Sequence, residues 1–255
     1  MIKQIPNLFT LANLFLGCMA ILYILQPGLT LTVSAEGENL VVLPERIMFA
    51  GWFIIAAAVV DFFDGFVARA LGASSELGKQ LDSLADVVSF GVAPGMIVLQ
   101  FLRLSYAQDA GGLDTSILLL LPSFLIPCAG AYRLGRFNID TTQQHGFKGV
   151  PIPAAGLCIA SFPFVFWYAT DAWIIDLLEN KFFWFGIILL ISYLMVSTLP
   201  MLALKFKSVS LKVLLPFLII AGIGIVTALF FGWLAVPVGF FAYVGLSLAF
   251  KQTHS

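Results

Sequence analysis

The chain has 255 residues, 60% of them hydrophobic and 11% charged, with a formal net charge of -1. Its mean hydropathy is +1.01. Soluble domains carry about 25% charged residues, so this composition excludes an ordinary water-soluble domain and predicts an all-α, polytopic membrane bundle formed as one domain.

Windows of about 20 residues predict eight spans, at 8–26, 47–70, 82–104, 116–135, 151–170, 183–203, 211–229 and 232–250. The stretch from Met1 to Pro6 is too short and wrongly flanked for a cleavable signal, so the first span is expected to stay. Residues 27–45 form the longest loop, where Pro27, Gly28, Gly37 and the β-like LTLTVSA patch suggest a short hairpin. Span two ends in DFFDGFVARA, and a turn over Gly72 to Ser75 leads into span three. Ser74 and Ser75 are candidate caps for that next helix, and Glu76 suits its positive end. Gly91, Pro94 and Gly95 predict close packing and a kink in span three. The fourth to eighth spans contain hardly any internal charge. Residues 1–170 hold the chemistry-bearing helices. Residues 171–255 add membrane helices in which Pro200, Pro216, Pro237, Gly222 and Gly224 suggest bends and close contacts, with the many Phe residues facing lipid or a partner subunit. Cys18, Cys128 and Cys158 lie far apart in apolar runs without CxxC spacing and read as small buried hydrophobes.

Eight spans with an inner N-terminus put Lys3, Arg69, Lys79, Arg133, Arg136, Lys148, Lys205, Lys207, Lys212 and Lys251 on one side. Arg46, Arg103 and Lys181 fall on the other. This asymmetry obeys the positive-inside rule and predicts cytoplasmic termini, a multi-pass protein of the cell (inner) membrane, and acidic residues near the cytoplasmic face.

Those acids are Asp61, Asp64, Asp82 and Asp86, at the inner ends of the second and third spans. One aspartate at mid-bilayer costs about 2.5–3.5 kcal/mol on insertion scales. Nearby cations do not match the four in number. Divalent metal is the economical partner, since hard cations bind carboxylate oxygen. Asp61 and Asp64 share one helix face with Gly65, Ala68 and Arg69, and Gly78, Asp82 and Asp86 form a second stripe at four-residue spacing. In an antiparallel pair, Asp64 meets Asp82 and Asp61 meets Asp86 at matching depths. Four converging carboxylates suit two Mg²⁺ or Mn²⁺ ions for phosphoryl displacement. Gly65, Ala68 and Gly78 remove bulk from those faces, which leaves room for a nucleotide diphosphate, and Arg69 can reach its phosphate. Two other readings stay open on the residues alone: a divalent-cation or proton-coupled transporter, since intramembrane acids mark ion pathways, and a membrane scaffold.

The pattern of Asp61, Asp64, Gly65, Ala68, Arg69, Gly78, Asp82 and Asp86 resembles the signature of the CDP-alcohol phosphatidyltransferase family at every fixed position. The segments PNLFTLANL, LDSLADVVSFGVAPG, RLGRFN and GFKGVPIPAAG further resemble its bacterial and archaeal phosphatidylserine synthase branch, with Gly135 where that branch has alanine. The last 95 residues match only in general character. The resemblance implies a homodimeric membrane enzyme that moves a phosphatidyl group from a CDP-linked lipid, CDP-diacylglycerol, to an alcohol and releases CMP. It implies four aspartate metal ligands, Asp86 as general base, and contacts to the CDP moiety from Gly65, Ala68, Arg69 and Gly78, with Asn13 reaching the same nucleotide. No nucleic-acid partner is expected.

For L-serine as acceptor, Arg133 and Arg136 share a helix face and suit carboxylate recognition, with Lys148, Asn138 and Ser89 completing a polar pocket. Their alternative role is anchoring to lipid phosphates. Glycerol 3-phosphate, inositol phosphate or choline are alternative acceptors for the same chemistry.

Overall fold

The computed structural model describes residues 5–26, 28–33, 39–70, 72, 75–109, 112–139, 147–202 and 211–249. Among the expectations above, Lys3, Pro27, Gly37, Ser74, Lys205, Lys207 and Lys251 lie outside the described residues. The apolar runs become helices, which build the core among the described residues, with Met201 of one short strand added to it. Helix α1 spans Ile5–Leu25, the strands β1 (Thr30–Val33) and β2 (Asn39–Val42) form the hairpin anticipated in the first loop, and α2 spans Ile47–Ala70. The hairpin is antiparallel, with Thr30 opposite Val42.

Helix α3 (Glu76–Asp86) starts at Ser75, which has an extended backbone and whose side-chain oxygen accepts the Gly78 N–H at 3.0 Å. That satisfies one of the free donors of the first turn. A π-helical turn, Val87–Val92, joins α3 to α4 (Ala93–Ala107), so residues 76–107 form one continuous rod. Inside it the Ala93 N–H reaches back five residues to the Val88 carbonyl. The wide turn fits the sequence, because Pro94 has no N–H to offer and its ring crowds the preceding turn. Gly91, Pro94 and Gly95, where a kink was expected, lie in and just after this π-helical turn.

The fourth predicted span departs from expectation. Residues 117–124 run through short 3₁₀ turns, and α5 covers only Leu125–Ile139. Pro122, early in the last 3₁₀ turn, withholds a backbone donor. Pro127 in α5 then seats against α4: a Cβ added to Gly91 or Gly95 would lie 3.2 or 3.1 Å from Pro127 atoms. Helix α6 spans Ile152–Tyr168, α7 Ala172–Leu178 and α8 Lys181–Val196. The strands β3 (Phe147–Lys148) and β4 (Pro200–Met201) pair antiparallel, then α9 (Leu211–Phe231) and α10 (Ala235–Ala249) follow.

Among the described residues four apolar helical segments are long enough to cross a bilayer: α1, α2, the 76–107 rod and the α9–α10 stretch; α6 and α8 are apolar but shorter. The chain is an all-α membrane protein. In lipid, close packing rather than water exclusion holds helices together, and the bundle centre reflects this. Trp184, fully buried, stacks on Phe101 at 4.6 Å between ring centres and donates its indole N–H to the Leu178 carbonyl at 2.7 Å. By contrast Phe62, Phe66, Phe182 and Phe230 point outward. The cysteines divide too: Cys158 is buried, but Cys18 and Cys128 are exposed. The expectation of three buried thiols is thus corrected for two of them, because an apolar run does not distinguish a lipid-facing side from a packed one.

The backbones of α6 and the π turn nearly touch, since a Cβ on Gly156 would lie 2.9 Å from Phe90 backbone atoms. Gly156→Val is therefore expected to cost about 1–3 kcal/mol or more through overpacking. Gly186→Val, where a Cβ meets nothing within 4 Å, serves as the matched control. Thermal melting of both variants in detergent measures the difference, and equal midpoints would contradict this packing.

Candidate metal and nucleotide site

Helices α1, α2 and α3 meet at one end of the bundle, and every signature residue lies there. Single carboxylate oxygens of Asp61, Asp64 and Asp82 come within 4.8 Å of one another. Asp86 stands outside that group, one turn deeper along α3 and 7% exposed, yet it adjoins Asp61. The acids thus form a cluster of three with Asp86 set against Asp61, where two pairs at matching depths were expected.

Helix α1 supplies the polar backing. Thr10 donates to Asp64 Oδ2 at 2.8 Å and also to the Pro6 carbonyl at 3.2 Å. The fully buried Asn13 points its amide N–H₂ at Asp61 Oδ1 (3.5 Å) and Asp86 Oδ1 (3.4 Å), and its own Oδ1 has no partner. From the π turn, Ser89 donates to the Asn13 main-chain carbonyl at 3.0 Å. This places Ser89 behind Asn13 as a support.

A cavity of about 490 Å³ opens beside the acids, lined by Thr10, Asp64, Gly65, Ala68, Gly78 and Asp82 among others. Asn7 packs at its edge, where a Cβ on Gly78 would lie 3.0 Å from the Asn7 Oδ1. Arg69 is exposed at the rim, its guanidinium beside Gly65. The small residues therefore do leave open space on the carboxylate side of the helix pair.

Among the described residues no lysine or arginine forms an ion pair with any of the four aspartates. A converging set of hard oxygen donors, without a direct ion pair among the described residues and backed by amide and hydroxyl donors, fits a divalent metal. Asp61, Asp64 and Asp82 are the residues placed to hold it.

The residues expected around an acceptor are not gathered in the same way. Arg133 on α5 is 5% exposed and its Nε has no partner; its charge lies near Asp86, and its guanidinium sits 6.0 Å from the Phe137 ring centre. Arg136 instead donates to the Val196 and Ser197 carbonyls at 2.7 and 2.9 Å, closing the C-terminus of α8. Asn138 donates to Ser83 Oγ at 2.8 Å and accepts from Lys79 at 3.2 Å. Lys148 is exposed on β3 opposite Pro200.

Thr10 escaped the sequence reasoning. The signal was present: Asn7, Thr10 and Asn13 recur at three-residue spacing on an otherwise apolar helix, which puts polar atoms on one face.

A family model described as CDP-alcohol phosphatidyltransferase matches residues 3–191. A CDP-diacylglycerol–serine O-phosphatidyltransferase of Helicobacter pylori (strain J99) is 33% identical over 205 residues, covering 76% of this chain and 70% of the relative. One of Bacillus subtilis (strain 168) is 34% identical over 170 residues, 64% of this chain and 77% of the relative. An archaetidylserine synthase of Methanothermobacter thermautotrophicus is 37% identical over 111 residues, 43% of each chain.

Replacing Thr10 by valine removes a hydrogen bond to a carboxylate without changing shape. Groups orienting metal ligands are worth about 10–100-fold in metal affinity. Mn²⁺ titration followed by electron paramagnetic resonance is expected to show Thr10→Val binding about tenfold more weakly. Unchanged affinity would make Thr10 a packing residue only.

Proposed function

The chain belongs to the CDP-alcohol phosphatidyltransferase family, and on that premise we propose that it transfers the phosphatidyl group of CDP-diacylglycerol to the hydroxyl of L-serine, giving phosphatidylserine and CMP. The observation that carries the reading is the convergence of Asp61, Asp64 and Asp82 beside a cavity walled by Gly65, Ala68 and Gly78. Serine is the acceptor named in the relatives from Helicobacter and Bacillus.

In this reading Asp61, Asp64 and Asp82 with Asp86 would hold two divalent cations, Mg²⁺ or Mn²⁺, which would supply charge neutralisation at the diphosphate and at departing CMP. The small residues and Arg69 admit and orient the nucleotide. Asn13 bridges and aims the neighbouring Asp61 and Asp86, with Ser89 fixing Asn13 from behind. A serine hydroxyl is a poor nucleophile, so the Asp86 carboxylate takes its proton as oxygen attacks the lipid-side phosphorus. The bond from that phosphorus to the oxygen of CMP breaks, and CMP leaves as a phosphate that needs no proton.

Arg133 is the residue proposed to meet the serine carboxylate, because its charge is near Asp86 and part of its guanidinium is buried without a partner. Arg136, Asn138 and Lys148 frame that region. A lipid donor also accounts for a site at membrane depth: the acyl chains remain in hydrocarbon while the headgroup faces water-borne serine. We further propose eight crossings, cytoplasmic termini, a cytoplasm-facing site in the inner membrane and a homodimer, on the strength of the lysine and arginine asymmetry and the family.

Purified protein with CDP-diacylglycerol and Mg²⁺ or Mn²⁺ is expected to release CMP when serine is added. Silence with serine but turnover with glycerol 3-phosphate, inositol phosphate or choline would reassign the acceptor, and metal flux into proteoliposomes without CMP would favour a transporter. Asp86→Asn is expected to abolish turnover while CDP-diacylglycerol still binds; near-normal rates would remove Asp86 as base. Arg133→Ala should raise the KM for serine by about tenfold or more, the scale of one lost charged hydrogen bond, and leave that for the lipid unchanged. Equal effects on both would argue against a serine contact.

A further inference from the structure

The bundle end opposite the aspartates holds a second concavity. Arg103 follows Asp86 by seventeen residues on the 76–107 rod, about 25 Å away at 1.5 Å per residue. The cavity there has a volume of about 540 Å³, and its wall includes Leu29, Leu99, Leu121 and Phe124, with Thr115 and Arg103 as polar members.

Arg103 is held in place. It donates to Gln100 Oε1 at 3.3 Å, and Gln100, only 2% exposed, is itself fixed by a hydrogen bond to the Ile24 carbonyl of α1 at 3.1 Å. That leaves most of the guanidinium donors unspent. No carboxylate among the described residues pairs with Arg103, and Asp109, at the same end of the rod, is engaged by Lys181 at 2.5 Å. The cavity wall formed by residues 112–124 is irregular backbone, which hydrocarbon tolerates where it lines a cavity. Beside it Ile117 and Leu118, 72% and 71% exposed, form an apolar ledge at the mouth.

A fixed guanidinium with no carboxylate partner among the described residues, set in the wall of a largely apolar cavity at the far end of the 76–107 rod, asks for an anion with a hydrocarbon tail. We propose that this cavity binds an anionic glycerophospholipid of the leaflet opposite the aspartates, its phosphate on Arg103 and an acyl chain along the apolar wall. A guanidinium fork matches phosphate oxygens. A free inorganic anion would gain the same contact but leave the apolar wall uncovered, so the lipid is the occupant.

The test uses the full chain, purified and delipidated in detergent, titrated with palmitoyl-oleoyl phosphatidylglycerol and followed by native mass spectrometry. Arg103→Gln is expected to weaken one lipid adduct by about tenfold, the scale of one charged hydrogen bond. CMP release should be unaffected by this change. Leu121→Trp, which fills the cavity and keeps Arg103, should weaken the same adduct and keeps the test decisive if the first variant does not fold. The same adduct ladder in the parent and both variants would overturn the proposal. Thermal stabilisation by inorganic phosphate equal to that by the lipid, lost in Arg103→Gln but kept in Leu121→Trp, would also overturn it.

Discussion

Carboxylates at membrane depth are tolerable only when something answers their charge, and the arrangement around α2 and α3 follows from that constraint. With no lysine or arginine paired to them among the described residues, Asp61, Asp64 and Asp82 converge where hard cations are the natural counter-charge. Asp86 sits one turn deeper, separated from the cluster of three but sharing Asn13 with Asp61. One asparagine touching both acids links the three-aspartate cluster to the deeper Asp86.

The rest of the fold serves to keep those helices at fixed separation. Helix α1 presses its Thr10 and Asn13 face into the α2–α3 pair, and Ser89 locks Asn13 from the π turn. That turn is itself held from two sides, by Pro127 against Gly91 and by Gly156 against Phe90. Small-residue packing at Gly91 and Gly156 therefore braces the turn that carries Ser89 and follows Asp86. Arg136 and Asn138 extend the same bracing, tying α5 to α8 and to α3.

Much of this was legible in the sequence because its signal is local. Aspartates three and four residues apart, with glycine and alanine on the same stripe, specify a helix face and a cavity without any tertiary knowledge. The hairpin at Thr30–Val42 and the Ser75 cap were equally local. What was hidden depends on long-range partners. Ser89 looked like a pocket residue, yet its partner is a main-chain carbonyl 76 positions earlier. Arg136 looked like a carboxylate receptor, yet its two donors close a helix end 60 and 61 positions away. The 3₁₀ path over 117–124 was hidden for another reason: in a uniformly apolar run, hydropathy reports depth and not backbone form. The outward Cys18 and Cys128 escaped by the same blindness.

The account stands or falls on cations among the aspartates. Crystals of the protein grown with Mn²⁺, measured at a wavelength where manganese scatters anomalously, test this directly. The account predicts anomalous peaks bonded to carboxylate oxygens of Asp61, Asp64 and Asp82. A map without such peaks, in which those side chains turn toward lipid or pair with basic groups, would contradict it.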